Sequence, residues 1–268
     1  MNRITIVSAT CMAIVLYTGM AVAGGCSLQV SPLTLELTVD PGRAHTGTIE
    51  ISNTGSESQH VKAYCQDWAL KPDGLVVFVD AGKLPQSASP WVTLSPTEFD
   101  LEAGTSAQVR YTIRPPADAA GEFRTVIILE GIAQEMTLRG APSRIVPRLG
   151  AVLYMQCGPA GQPQARISQF QVTPDGGAIT VENTGPGHLR FTGKVEISRS
   201  GQLVRSADLN GFVVLPAPFN QHQAAIAKET FAALASGDYE VVAIFDCGGP
   251  SLLGARTTFS VTAPIEAK

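Results

Sequence analysis

Apolar and polar residues alternate with a period of two over 33–39, 47–52, 109–113, 178–182 and 193–198, the pattern of strands with one buried face. Between such runs stand turn signals: Asp40-Pro41-Gly42, Lys71-Pro72-Asp73-Gly74, Ala103-Gly104, Pro115-Pro116, Pro174-Asp175-Gly176-Gly177 and Arg199-Ser200-Gly201. Short strands at this spacing point to a sandwich. The stretch 223–235, rich in Ala with Lys228 and Glu229, has helical propensity. Strand-like runs flank it, so it is expected to be extended.

The runs repeat. Ile51-Ser52-Asn53-Thr54-Gly55 in the first half returns as Val181-Glu182-Asn183-Thr184-Gly185 in the second. Each reads as a strand entering a turn, with Asn tolerating left-handed backbone and Gly a positive φ. A second echo follows: Gly121-Glu122-Phe123 precedes the β-rich run 125–129, and Gly237-Asp238-Tyr239 precedes 241–245. A Gly-acid-aromatic turn before a late strand suits the corner of an immunoglobulin-like sandwich, where a tyrosine hydroxyl bonds back to the chain. Tyr239 can do so; Phe123 cannot. The fold class expected is all-β: two immunoglobulin-like β-sandwich domains in tandem, residues 24–155 and 156–268.

Composition agrees: Gly 26 and Pro 18 favour turns over long helices, and 44% hydrophobic against 16% charged suits a folded chain. A net charge of -4 without a Lys/Arg run argues against a nucleic-acid partner. Residues 1–23 read as a cleaved signal peptide: Arg3, an apolar stretch through 11–16, then Ala21-Val22-Ala23. Export to the periplasm is therefore expected. Beyond that leader stand Cys26, Cys65, Cys157 and Cys247. Four thiols allow three connectivities. If each half owns its pair, the bridges are Cys26–Cys65 and Cys157–Cys247, each contributing about 4 kcal/mol by chain entropy.

Catalytic patterns are missing. There is no G-x-S-x-G and no H-E-x-x-H, and His45, His60, His188 and His222 stand apart as polar loop or edge residues. Gly249 and Gly254 are spaced like a phosphate loop, but Ala255-Arg256 follow where Lys and a hydroxyl are needed. The cysteines lack metal-ligand spacing. The chain reads as a non-enzyme with no cofactor, metal or small-molecule substrate.

Six segments resemble the PapD-like periplasmic chaperones of pilus assembly. In the first half they are Thr48-Ile49-Glu50-Ile51-Ser52-Asn53, Leu94-Ser95-Pro96 and Phe99-Asp100-Leu101-Glu102-Ala103-Gly104 leading to Val109-Arg110. In the second they are Val181-Glu182-Asn183-Thr184, Val213-Val214-Leu215-Pro216 and Ile244-Phe245-Asp246-Cys247-Gly248-Gly249. The resemblance implies two sandwiches set at an angle around a cleft, and a chaperone that lends an edge strand to a pilin-like, fimbrial or spore-coat-like subunit. Such a subunit lacks its last strand and would otherwise aggregate.

By the same resemblance the donor strand is the last of the first domain. Met136, Leu138, Val146 and Val152 are its candidate subunit-binding residues, although Pro142 and Pro147 remove N–H groups from that segment. The family's two basic anchors for the subunit carboxylate fall on Leu37 and Ala151, so Arg148 is the anchor candidate. The implied partners are an exported β subunit and an outer-membrane usher. The alternative is an envelope binding or structural module of the same fold that lends no strand.

Overall fold

The computed structural model describes residues 28–138 and 141–262, and side chains outside 134–143. The chain is built of strands, as the alternation predicts. The first sandwich contains β1 (Leu28–Ser31), β2 (Thr34–Val39), β3 (His45–Asn53), β4 (Gln59–Leu70), β5 (Val76–Val79), β6 (Val92–Ser95), β7 (Glu98–Leu101), β8 (Ser106–Ile113) and β9 (Gly121–Glu130). It continues through the hairpin β10 (Gln134–Leu138) and β11 (Ala141–Ile145) into β12 (Arg148–Cys157). The second contains β13 (Ala165–Thr173), β14 (Gly176–Asn183), β15 (Leu189–Arg199), β16 (Gln202–Val214), β17 (Gln221–Ile226), β18 (Gly237–Asp246) and β19 (Leu253–Val261). The chain passes between them over 158–164, beside the boundary expected at 155/156.

In the first sandwich one sheet runs β1-β3-β8-β6 and the other β2-β12-β9-β4-β5, with β7 also on β4. The chain changes sheets at Pro32: β1 pairs with β3, while β2 runs parallel to β12. Ile49, Ile51, Val109, Ile127, Leu129, Leu153 and Met155 meet between the sheets and are fully buried. In the second sandwich β13-β14-β17 faces β16-β15-β18-β19 across Ile179, Val181, Phe191, Val195, Val241 and Phe245.

The repeat has a different physical basis from the one expected. Neither Asn53 nor Asn183, nor the glycine after each, has a positive φ. Instead each buried asparagine accepts the N–H of Gly55 or Gly185 and donates to two carbonyls, tying its turn to the neighbouring strand. The tyrosine corner is present as predicted, with the Tyr239 hydroxyl donating to the Ala235 carbonyl at 2.8 Å.

Two expectations need correction. Residues 223–226 belong to β17, with Ala224 and Ile226 turned into the core, but Lys228–Thr230 form a 3₁₀ turn rather than strand. Among the described residues, Cys65, Cys157 and Cys247 form no bridge with one another. Cys157 closes β12 inside the first core and Cys247 packs against the second, so the expected Cys157–Cys247 bridge is not made. Cys26, and with it the Cys26–Cys65 pairing, lies outside the described residues, as does the leader. Burial pushes the Cys65 thiol up to about 11 and raises that of Cys157 as well.

Candidate functional site

Side chains alternate along β12. Ala151, Leu153, Met155 and Cys157 enter the first core, so Gly150, Val152, Tyr154 and Gln156 face the other way. That second face, shared with Tyr64, Trp68, Val126 and Ile128 of β4 and β9, looks toward the second sandwich. Trp68, Val126, Ile128 and Tyr154 bury themselves there against Leu215. Leu37 and Ala151, the positions the resemblance gives for basic anchors, both pack into the first core. The carboxylate of Glu36 lies on the opposite face from Leu37, toward the second sandwich.

One edge of β12 is half covered. β2 pairs with it from Val152 to Cys157, and the Val152 N–H reaches the Leu33 carbonyl at 2.9 Å. From Arg148 to Ala151 the strand has β9 on one side and no other partner among the described residues. The Gly131 N–H bonds to the Pro147 carbonyl, which places the backbone groups of odd-numbered residues toward β9. Arg148 and Gly150 therefore turn their N–H and C=O groups outward. The N–H that Pro147 lacks falls on the β9 side, so proline leaves the outer edge intact, contrary to its reading as an obstacle.

Arg148 stands beside this edge in a polar cluster. Its Nε meets Glu130 at 2.9 Å, and its Nη2 donates to the Tyr64 hydroxyl at 2.6 Å and to Gln66 Oε1 at 2.9 Å. The Tyr64 hydroxyl donates in turn to Glu130. Burial, helped by Glu130, raises the Tyr64 pKa. Nη1 of Arg148 keeps its donors free among the described residues. Val146 is 45% exposed just before β12. Met136 and Leu138 pair through their backbones with Ser143 and Ala141 in the hairpin that leads to it. Val152 lies past the point where β2 closes the edge, and its side chain joins the contact between the sandwiches.

The contact between sandwiches also uses polar groups that the sequence leaves unconnected. Glu122, at the first-domain corner, accepts both the backbone N–H and Nδ1 of His188, the latter at 2.7 Å. The His188 ring stacks on Tyr154 with centroids 3.8 Å apart. Arg190 reaches Glu36, and that hydrogen bond holds the Glu36 carboxyl below its ordinary range. Burial pushes the Tyr154 hydroxyl up to about 12. His188 does sit in the loop before β15, and there it forms a largely buried link between the domains; only its place in the turn after the repeated Asn183 hinted at this.

Arg124 is the unusual member of this face. It is 2% exposed, lies 5.9 Å over the rings of both Trp68 and Phe219, and its guanidinium has no hydrogen-bond partner among the described residues. Burial lowers its pKa. Among the described residues three cavities open between the sandwiches, including one of about 510 Å³ beside Leu70, Pro72, Val77 and Phe219. Another of about 560 Å³ lies beside Trp68, Tyr154 and Phe212; a third of about 390 Å³ lies beside Glu36, Glu122 and the linker.

No protein-family model matches the chain, and no curated protein matches it. Among solved structures it is similar to the YadV chaperone, at 11% identity over 87% of this chain and 100% of that one, with a TM-score of 0.49. It is also similar to the CsuC–CsuE chaperone–tip adhesion subunit complex of Acinetobacter baumannii, at 14% identity over 85% and 97% of the chains, TM-score 0.47. For the class 5 fimbriae chaperone CfaA the identity is 14% over 89% and 100%, TM-score 0.46.

Proposed function

We propose that this chain is an exported, non-enzymatic chaperone that holds an unfinished β subunit by lending it the outer edge of β12. The carrying observation is that edge: Arg148 and Gly150 offer outward backbone groups at the point where β2 has left the strand. An unpaired edge is a template for another strand, and main-chain bonds made there need no particular guest sequence. Val146 supplies an exposed apolar side chain just before β12, Met136 and Leu138 are the hairpin positions expected to meet the guest, and Val152 closes the far end. The six segments resembling PapD-like chaperones point the same way, toward a pilin-like or coat-like guest and an usher that receives it. The two sandwiches, 24–155 and 156–268, act as one holder.

Arg148 is the anchor for a guest carboxylate in this reading. Glu130, Tyr64 and Gln66 fix its guanidinium, and Nη1 remains to meet the guest. The test is co-expression with an exported β subunit that is insoluble alone. The parent chain is expected to keep it soluble, while Leu138→Asp or Arg148→Ala lowers the yield. Equal yield from both variants would overturn the site assignment, and a guest that gains nothing from the parent would overturn the function.

A further inference from the structure

Along one flank of the second sandwich, the two sheets turn unpaired edges toward each other. Among the described residues β17 pairs only with β14 and β16 only with β15. The cavity of about 560 Å³ lies between them, roofed by Trp68, Leu70 and Tyr154 of the first sandwich. The Gln223 N–H points out of its sheet and bonds to the Pro72 carbonyl at 2.7 Å. Backbone groups alternate along a strand, so Ala225 turns its N–H and C=O the same way, with no partner among the described residues. On the opposite wall, Asn210 and Gly211 bulge against the single residue Thr192, and Phe212 stacks on His222 with centroids 4.2 Å apart.

We propose that this flank is a second peptide groove, which takes one extended segment with small apolar side chains. The seat of Pro72 on Gln223 carries the inference, because one backbone carbonyl of the first sandwich already hydrogen-bonds to this edge and the groove continues it toward Ala225. Two facing edges call for extended backbone rather than a helix or a compact ligand. Gly211 and Ala225 line it and leave room beside the backbone for short side chains. Asp73 is the acidic side chain in the lining, which disfavours an acidic segment. The inference rests on the proposed function only for the source of the segment, the guest chain.

The test titrates the isotope-labelled full chain with a short blocked peptide alternating Val and Ala between terminal lysines, followed by amide spectra and hydrogen exchange. The Ala225 amide and the Trp68 indole N–H are expected to shift, and Ala225 exchange to slow. Ala225→Pro keeps the β14 ladder, since the lost N–H lies on the open edge, and should weaken binding about tenfold. Gly211→Val narrows the opposite wall, where an added Cβ makes only a 3.4 Å contact with the Phe191 carbonyl; it should weaken binding as well. No response at Ala225 overturns the inference, whatever happens at Arg148 and Gly150, where the proposed function is judged separately. Protection of Ala225 that rises with protein concentration without peptide also overturns it, because the occupant is then a second copy.

Discussion

Asn53 and Asn183 make the same three hydrogen bonds in the two sandwiches. Asn53 Nδ2 donates to the carbonyls of Glu57 and Leu101 at 2.7 and 3.1 Å, and Asn183 Nδ2 to those of Gly187 and Val214 at 2.8 and 3.0 Å. Both are 1% exposed. Replacing either by Ala strands one buried carbonyl, one half-buried carbonyl and a turn N–H. Each change should cost about 1–3 kcal/mol per stranded group, with partial relief from entering water. Urea unfolding of Asn53→Ala and Asn183→Ala checks this, and a loss for one but not the other would show that the repeat is not energetically alike.

Tyr239→Phe removes one hydroxyl that bonds to Ala235 at the corner of the second sandwich. The ring stays packed against Phe259. The expected loss is about 1 kcal/mol in denaturant midpoint measurements. The matching corner of the first sandwich has Phe123 packed on Trp91 instead, so no equivalent substitution exists there.

The fold was legible because period-two alternation and the two asparagine turns are local signals. What lay beyond local reading was contact between distant segments. His188 looks like a lone polar residue until Glu122 and Tyr154, brought in by β9 and β12, surround it. Arg124 carries no local signal of burial, yet Trp68 of the first sandwich and Phe219 of the second both lie against its guanidinium. The Cys157–Cys247 pairing failed for a similar reason: the two share a half of the sequence but sit in different cores. Residues 228–230 left the strand pattern because Phe231 and Leu234, not alternate positions, enter the core. Pro147 was readable as an obstacle only while the direction of its missing N–H was unknown.

Asp67 gives a pH dependence. Burial works against its ionised form, but hydrogen bonds from Ser87, Ser89 and the Leu84 backbone outweigh that and hold its pKa below the ordinary value. A depressed folded pKa contributes stability above the unfolded value of about 3.9, and that contribution is lost as pH falls through the folded value. Thermal melts from neutral to strongly acid pH should show this loss. Asp67→Asn should flatten that part of the profile and lower stability at neutral pH. A variant with an unchanged acid limb would remove Asp67 from the account.

Arg124→Met should stabilise the chain. The guanidinium is buried without a hydrogen bond among the described residues, and well-packed apolar side chains in place of buried ion pairs gain about 1–4 kcal/mol. Methionine keeps contact with the Trp68 and Phe219 rings. A higher melting temperature is expected, whereas a marked drop would mean that the cation–π contacts at 5.9 Å outweigh desolvation.

The proposed role turns on two amides. Hydrogen exchange at Arg148 and Gly150, measured on the chain alone and on its complex with a co-expressed exported β subunit, tests it most directly. Both amides should exchange quickly in the free chain and become strongly protected in the complex, with Ala151 and Leu153 slow in both. A guest held firmly while Arg148 and Gly150 exchange as fast as before would contradict strand lending at this edge.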